Sequence, residues 1–185
     1  MKRFISQRFG YVALAIATML PTAAGHAQTC GGDACVSPCV GQEILYDASF
    51  INDCPNWVLS GYADRIYAGP GNGYYISMTA GSGLHQDVTP PSGSHTAHQI
   101  GLTVNIVNNG SPGTERLTLK VVRQSDGAVL EVIDSIFPSD SSGTYYYNIG
   151  DYSGQAVRID ASVNISPHTG DTDFQIQGLR WWETP

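Results

Sequence analysis

The side chains in this sequence best equipped for chemistry are its rings, and the chemistry they suit is recognition. Beyond residue 27 the chain holds nine tyrosines and three tryptophans, interleaved with asparagine, glutamine, aspartate and a few arginines. An aromatic face stacks on apolar surface, while amides, carboxylates and guanidinium groups supply directional hydrogen bonds. Machinery for covalent chemistry is sparse: there is no Gly-x-Ser-x-Gly nucleophile elbow, no His-Glu-x-x-His zinc motif and no phosphate loop. Of His85, His95, His98 and His168, the first three cluster around a Pro/Ser loop. There the ordinary reading is solvated loop side chains, and a metal site is the sharper one.

The cysteines point to a staple. Cys30, Cys35, Cys39 and Cys54 are an even number gathered near the front of the chain. They follow Lys2, Arg3 and Arg8, an apolar run from Tyr11 to Leu20, and small residues ending at Ala27, which together read as a secretory signal peptide over 1–27. That apolar run is about ten residues, against the roughly 20 a membrane-spanning helix needs, so no span is expected. In an exported chain the four thiols are expected as two disulfides. Three pairings are open, with Cys30–Cys35 and Cys39–Cys54 preferred because the second ties the lead-in to the first loop. A four-thiolate zinc site is disfavoured by the lack of a Cys-x-x-Cys pair.

Removing residues 1–27 from the 185 leaves 158, enough for one core. Six bases against sixteen acids in that part give a net charge of −10, which argues against binding nucleic acid through counterion release. The division expected is a signal peptide over 1–27, an irregular cysteine-rich lead-in over 28–41 and a β-sandwich over 42–185.

The elements that must position the rings are strands. Short β-branched and aromatic runs alternate with Gly, Asn, Ser, Asp and Pro clusters, and no long helical stripe appears. In Ile100–Ile106 and Val157–Ile165 apolar residues fall on every second position, so one face of each meets a core. Leu117–Val121 and Val129–Ile133 flank Asp126-Gly127, a tight-turn signal that makes them antiparallel neighbours. Further strands are expected at 43–46, 56–59, 74–78, 84–88, 144–149 and 174–182. About ten strands in all predict an all-β, two-sheet antiparallel jelly-roll sandwich.

The order of these segments resembles the jelly-roll carbohydrate-binding modules of the galactose-binding-like superfamily over roughly residues 42–183. Phe50 and Trp57 match an opening Phe…Trp segment. Leu84-His85-Gln86 matches a Leu-x-Gln strand, and Ile100–Ile106 the long alternating strand. Tyr152-Ser-Gly154-Gln155-Ala-Val157-Arg-Ile159 matches a Tyr-x-Gly-Gln signature, and Phe174-Gln-Ile176 the closing strand. The resemblance implies glycan binding by ring stacking. It also implies a structural calcium in some members, although Gln177 stands where many carry aspartate. Glu43, Asp47, Asp171 and Asp173 would supply oxygens if the termini lie side by side. No other cofactor is expected.

Candidate ligand-binding residues follow from strand parity. Tyr145 and Tyr147 share parity with Ile149, which turns Tyr146 outward, expected beside a strand that displays Arg158 and Asp160. Asn105 points outward from its own strand. Trp57, Tyr62, Tyr67 and Tyr74 lie in or beside the longest loop-rich stretch, and Trp57 doubles as a candidate buried plug. Trp181 and Trp182 are adjacent and must point to opposite faces, with Gly178 able to host a bulge that decides which. The leading expectation is a secreted, non-catalytic glycan-binding domain. The alternatives are an adhesin-like protein–protein sandwich and a small polysaccharide-degrading enzyme using a Tyr/His pair with Arg and Gln.

Overall fold

Alternating sequences of this kind bury one face each, and the described residues accordingly form strands and no helix. The computed structural model describes residues 28–29, 42–52, 56–92, 97–109, 114–165 and 172–184. The expected signal peptide, all four cysteines, His95, His168 and Asp171 lie outside the described residues. In chain order the strands are β1 (Gln28–Thr29), β2 (Gln42–Glu43), β3 (Val58–Ser60), β4 (Asp64–Gly69), β5 (Gly73–Met78) and β6 (Gly83–Val88). They continue with β7 (Ala97–Asn108), β8 (Leu117–Arg123), β9 (Val129–Ile136), β10 (Gly143–Ile149), β11 (Val157–Val163) and β12 (Thr172–Thr184).

They make two antiparallel sheets. One has seven strands in the order β1-β10-β7-β12-β5-β4, with β2 also on β12; the other has five in the order β3-β6-β11-β8-β9. Between them Trp181, Tyr147, Phe174, Ile76, Met78, Ile100, Leu102, Leu119, Ile159 and Ala161 interlock as one core. The Asp126-Gly127 turn joins β8 to β9 as expected, with Gly127 at φ 72° and Arg123 N donating to Ala128 O at 2.8 Å.

Three local expectations change. The lead-in is not wholly irregular, because Gln28 and Thr29 pair with Tyr146 and Tyr145 as an edge strand. Residues 64–69 are a strand rather than loop; β4 is an edge strand, whose mixed polarity hides the alternation that a core-facing strand displays. The expected strand at 43–46 stops at Glu43, because Asp47 adopts φ 51° and Phe50 φ 57° in a tight turn. That turn is held by Phe50 N donating to Asp47 O and by Arg65, whose Nε and Nη2 donate to the carbonyls of Phe50 and Ile51 at 2.8 Å each.

The bulge at Gly178 is present, and it settles the tryptophans. Register along β12 shifts between Ile176 and Gly178, where Leu179 N reaches across to Ala48 O at 3.0 Å. Phe174 and Ile176 face the core before the shift, and Leu179, Trp181 and Glu183 face it afterwards. Trp181 is therefore fully buried, and Trp182 lies on the outer face of the seven-stranded sheet.

Candidate functional site

The outer face of the seven-stranded sheet collects the polar and aromatic side chains that alternate with the core residues of β10, β7, β12 and β5. From β10 come Thr144, Tyr146 and Asn148, and from β7 come Gln99, Gly101, Thr103 and Asn105, set opposite one another by the register Tyr146↔Gly101. On the other side of β7, β12 brings Trp182 opposite Gln99, Arg180 opposite Gly101, and Gln175 opposite Asn105. Tyr146 and Trp182 meet above Gly101 with ring centroids 6.3 Å apart and planes inclined by 31°. Both are half-buried, so each keeps ring surface open to a ligand.

Polar side chains flank this pair in rungs across the strands. Gln99 Nε2 donates to Asn148 Oδ1 at 2.9 Å, and the hydroxyls of Thr103 and Thr144 pair at 3.0 Å. Farther along, Asn105 Nδ2 donates to Gln175 Oε1 and Gln175 Nε2 to Asp173 Oδ2, both at 2.9 Å, while Ser77 Oγ donates to Asp173 Oδ1 at 2.7 Å. Such a face can stack one apolar surface and hydrogen-bond the hydroxyls around it. Glu43, opposite Trp182, and Arg180 add one charge of each sign near the rings.

The structure brings together only some of the residues expected from sequence. Tyr146 and Asn105 share this face. Arg158 and Asp160 do not: β11 pairs with β6 and β8 in the five-stranded sheet, so both lie across the core from Tyr146. There Arg158 forms a two-pronged pair with Asp87 at 2.7 and 3.1 Å, and Lys120 lies 3.2 Å from Asp160. The sequence reading fails here because β10 and β11 are consecutive in the chain but residues 150–156 carry it from one sheet to the other.

Trp57 is likewise corrected to a core residue at 6% exposure, edge-on to Phe50 with centroids 5.5 Å apart. Tyr62 is 77% exposed, in the turn between β3 and β4 and away from the Tyr146 pair. Tyr74 packs against Tyr67 at 5.0 Å and under the Arg65 guanidinium at 3.6 Å, at the β4 edge of the seven-stranded sheet. The ring that sequence reasoning left undecided is Trp182. The signal for it was Gly101, a glycine amid the outward set of a strongly alternating strand, which marks the close approach of another group.

Among the described residues no group of three or more His, Cys, Asp or Glu side chains gathers as a metal site, so Glu43, Asp47 and Asp173 do not share one. Glu43 pairs with Trp182, nine residues along β12 from Asp173, a separation of about 30 Å at roughly 3.3 Å per residue. Asp173 already accepts from Ser77, Met78 N and Gln175, and Asp47 from the amides of Ile51 and Asn52.

His98 is held in a role other than base. Trp181 Nε1 can only donate, and it lies 3.1 Å from His98 Nδ1, so Nδ1 accepts and Nε2 carries the proton. That Nε2–H points to Asp151 Oδ1 at 3.0 Å and Ser153 Oγ at 3.3 Å, and so cannot take a proton from Ser153. Hydrogen bonds from the Ser153 hydroxyl and amide, and from His98, hold Asp151 down at about 2.

On the five-stranded face, burial and then the Arg158 charge lower the pKa of His85, and the hydrogen bond from Arg158 lowers that of Asp87. Both shifts contribute stability that is present above the ordinary values, 6.5 and 3.8, and lost as pH falls through the lowered ones. The melting temperature will therefore decline on acidification in two stages, and His85→Asn will shrink the first far more than the second, which the Arg158 hydrogen bond dominates. Equal slopes for wild type and variant below pH 6.5 would remove His85 from the account.

No protein-family model matches the sequence, and no curated protein sequence does either. Solved structures match in fold. The module TmCBM61, solved in complex with β-1,4-galactotriose, superposes with a TM-score of 0.54 at 16% identity over 77% of this chain and 99% of that one. The xylan-binding module CBM15 gives 0.52 at 14% identity, over 77% and 97%. The CBM22-1 xylan-binding domain of Paenibacillus barcinonensis Xyn10C gives 0.51 at 11% identity, over 78% and 96%. The chain thus has the jelly-roll fold of carbohydrate-binding modules.

Proposed function

We propose that this chain is an exported, non-catalytic carbohydrate-binding domain that takes a neutral or weakly polar glycan on the outer face of its seven-stranded sheet. The observation that carries the reading is the Tyr146–Trp182 pair over Gly101, flanked by rungs of amides and hydroxyls. Pyranose rings have apolar faces that stack on aromatic rings and hydroxyl edges that need such partners. The fold shared with modules that bind galactotriose and xylan supports the same class of ligand. A net charge of −10 beyond residue 27, from six bases and sixteen acids, disfavours strongly acidic polymers.

The test is affinity electrophoresis of the exported protein in gels containing soluble xylan or β-1,4-galactan, with depletion on insoluble polysaccharides alongside. Retardation by at least one polysaccharide is expected, weakened by Asn105→Ala or Gln175→Ala. Migration unaffected by every neutral glycan would refute the reading and turn attention to a protein partner.

A further inference from the structure

We propose that Gly101 is a positioning residue for the aromatic platform: the space left by its missing side chain is the seat on which the Trp182 ring lies. This inference rests on reading that face as the glycan surface, and it adds what sets the geometry of the site.

A side chain at 101 is excluded by space and not by backbone. Gly101 lies within β7, its neighbours on the same face are Gln99, Thr103 and Asn105, and its φ lies outside the left-handed region that favours glycine. In such a strand interior glycine is the unfavourable choice, because it costs chain entropy and packs nothing. A Cβ built at 101 would stand 2.7 Å from Trp182 Cη2, 2.8 Å from Trp182 Cζ3 and 3.2 Å from Tyr146 Cε1. The far edge of the indole thus rests on the β7 backbone, and Tyr146 closes in from the other side. The glycine is itself buried although it faces outward, because the two rings cover it.

The consequence is specific. With no Cβ beneath it, the indole lies low across β7 and meets Tyr146 at 31°, so a ligand finds two adjoining faces. A methyl group there would collide with the end of a side chain that can swing, so the strain is relieved by lifting the ring and not by moving the sheet. Side-chain size at position 101 therefore decides whether the rings act as one platform or separately, with little effect on the fold.

A double-mutant cycle tests this with four proteins: wild type, Gly101→Ala, Trp182→Phe and the double variant. Phenylalanine keeps a ring but lacks the fused edge whose Cη2 and Cζ3 touch Gly101. The readouts are affinity for soluble xylan and β-1,4-galactan, melting temperature, and near-ultraviolet circular dichroism. Gly101→Ala is expected to weaken binding about tenfold in the wild-type background and less than about twofold in the Trp182→Phe background, with melting temperatures nearly unchanged. Wild-type affinity in Gly101→Ala, or an equal loss in both backgrounds, would overturn the proposal. So would unfolding of Gly101→Ala in both backgrounds, which would make the glycine structural, whereas unfolding relieved by Trp182→Phe would support the clash. If the folded wild type binds neither polysaccharide, the glycan reading itself fails. Dichroism then decides the seating: an aromatic signal altered by Gly101→Ala only when Trp182 is present supports it, and unaltered spectra refute it.

Discussion

Trp181→Ala will strongly destabilise the protein, whereas Trp182→Ala, one residue along the same strand, will leave it folded and impair binding. Trp181 is 0% exposed, edge-on to His98 and Tyr152 at 5.9 and 6.0 Å, and its indole N–H is the donor to His98 Nδ1. Truncating a buried tryptophan costs about 3–5 kcal/mol, and here it also strips a buried acceptor of its partner. Against a total stability of roughly 5–15 kcal/mol that is a large fraction, equivalent to a fall in melting temperature of roughly 6–20 °C. Trp182 lies on the outer face, against Tyr146 and the glycine beneath it, so its truncation leaves the core intact. Glycan affinity should fall by about 2 kcal/mol, close to thirtyfold, as for an exposed aromatic anchor. Calorimetry on both variants checks the pair, and an unfolded Trp182→Ala beside a stable Trp181→Ala would show that the bulge at Gly178 does not reverse the phase.

A second divergence is expected in the run Tyr145-Tyr146-Tyr147. Tyr147 is 1% exposed, stacks on Tyr145 with planes 5° apart, and donates its hydroxyl to Asp134 Oδ2 at 2.6 Å. Burial first, and then the Asp134 carboxylate, push its phenol far above the ordinary range, so it stays a neutral donor at any pH of interest. Tyr147→Ala should cost about 3–5 kcal/mol through the lost ring, with Asp134 left short of a donor. Tyr147→Phe separates the two contributions, because it keeps the ring and loses only the hydrogen bond. Tyr146→Ala should leave the melting temperature nearly unchanged and weaken polysaccharide binding by about 1 kcal/mol or more. If Tyr146→Ala folds and binds a demonstrated glycan normally, the site lies away from this face, and the edge cluster of Tyr67, Tyr74 and Arg65 is the place to look.

Features that depend on near neighbours along the chain are legible in the residues alone. Alternation within one strand is local, because successive side chains leave a strand on opposite sides. It is enough to turn Tyr146 and Asn105 outward and to bury Tyr145, Tyr147, Ile100 and Leu102. The Asp126-Gly127 hairpin is equally local. Which strands stand side by side is decided by packing between distant segments, and only the tertiary structure shows it. Arg158 and Asp160 have the expected outward phase, yet they face away from Tyr146 because the chain crosses between sheets after β10. Trp57 sits in a segment with no alternation to read, and becomes core because Phe50 turns in to meet it. For Trp182 the local pattern is broken: the register shift at Gly178, where Leu179 N bonds Ala48 O, reverses the phase of β12 and puts this ring on the face with Tyr146. Alternation carries no information past such a shift, since one extra residue in a strand exchanges its two faces.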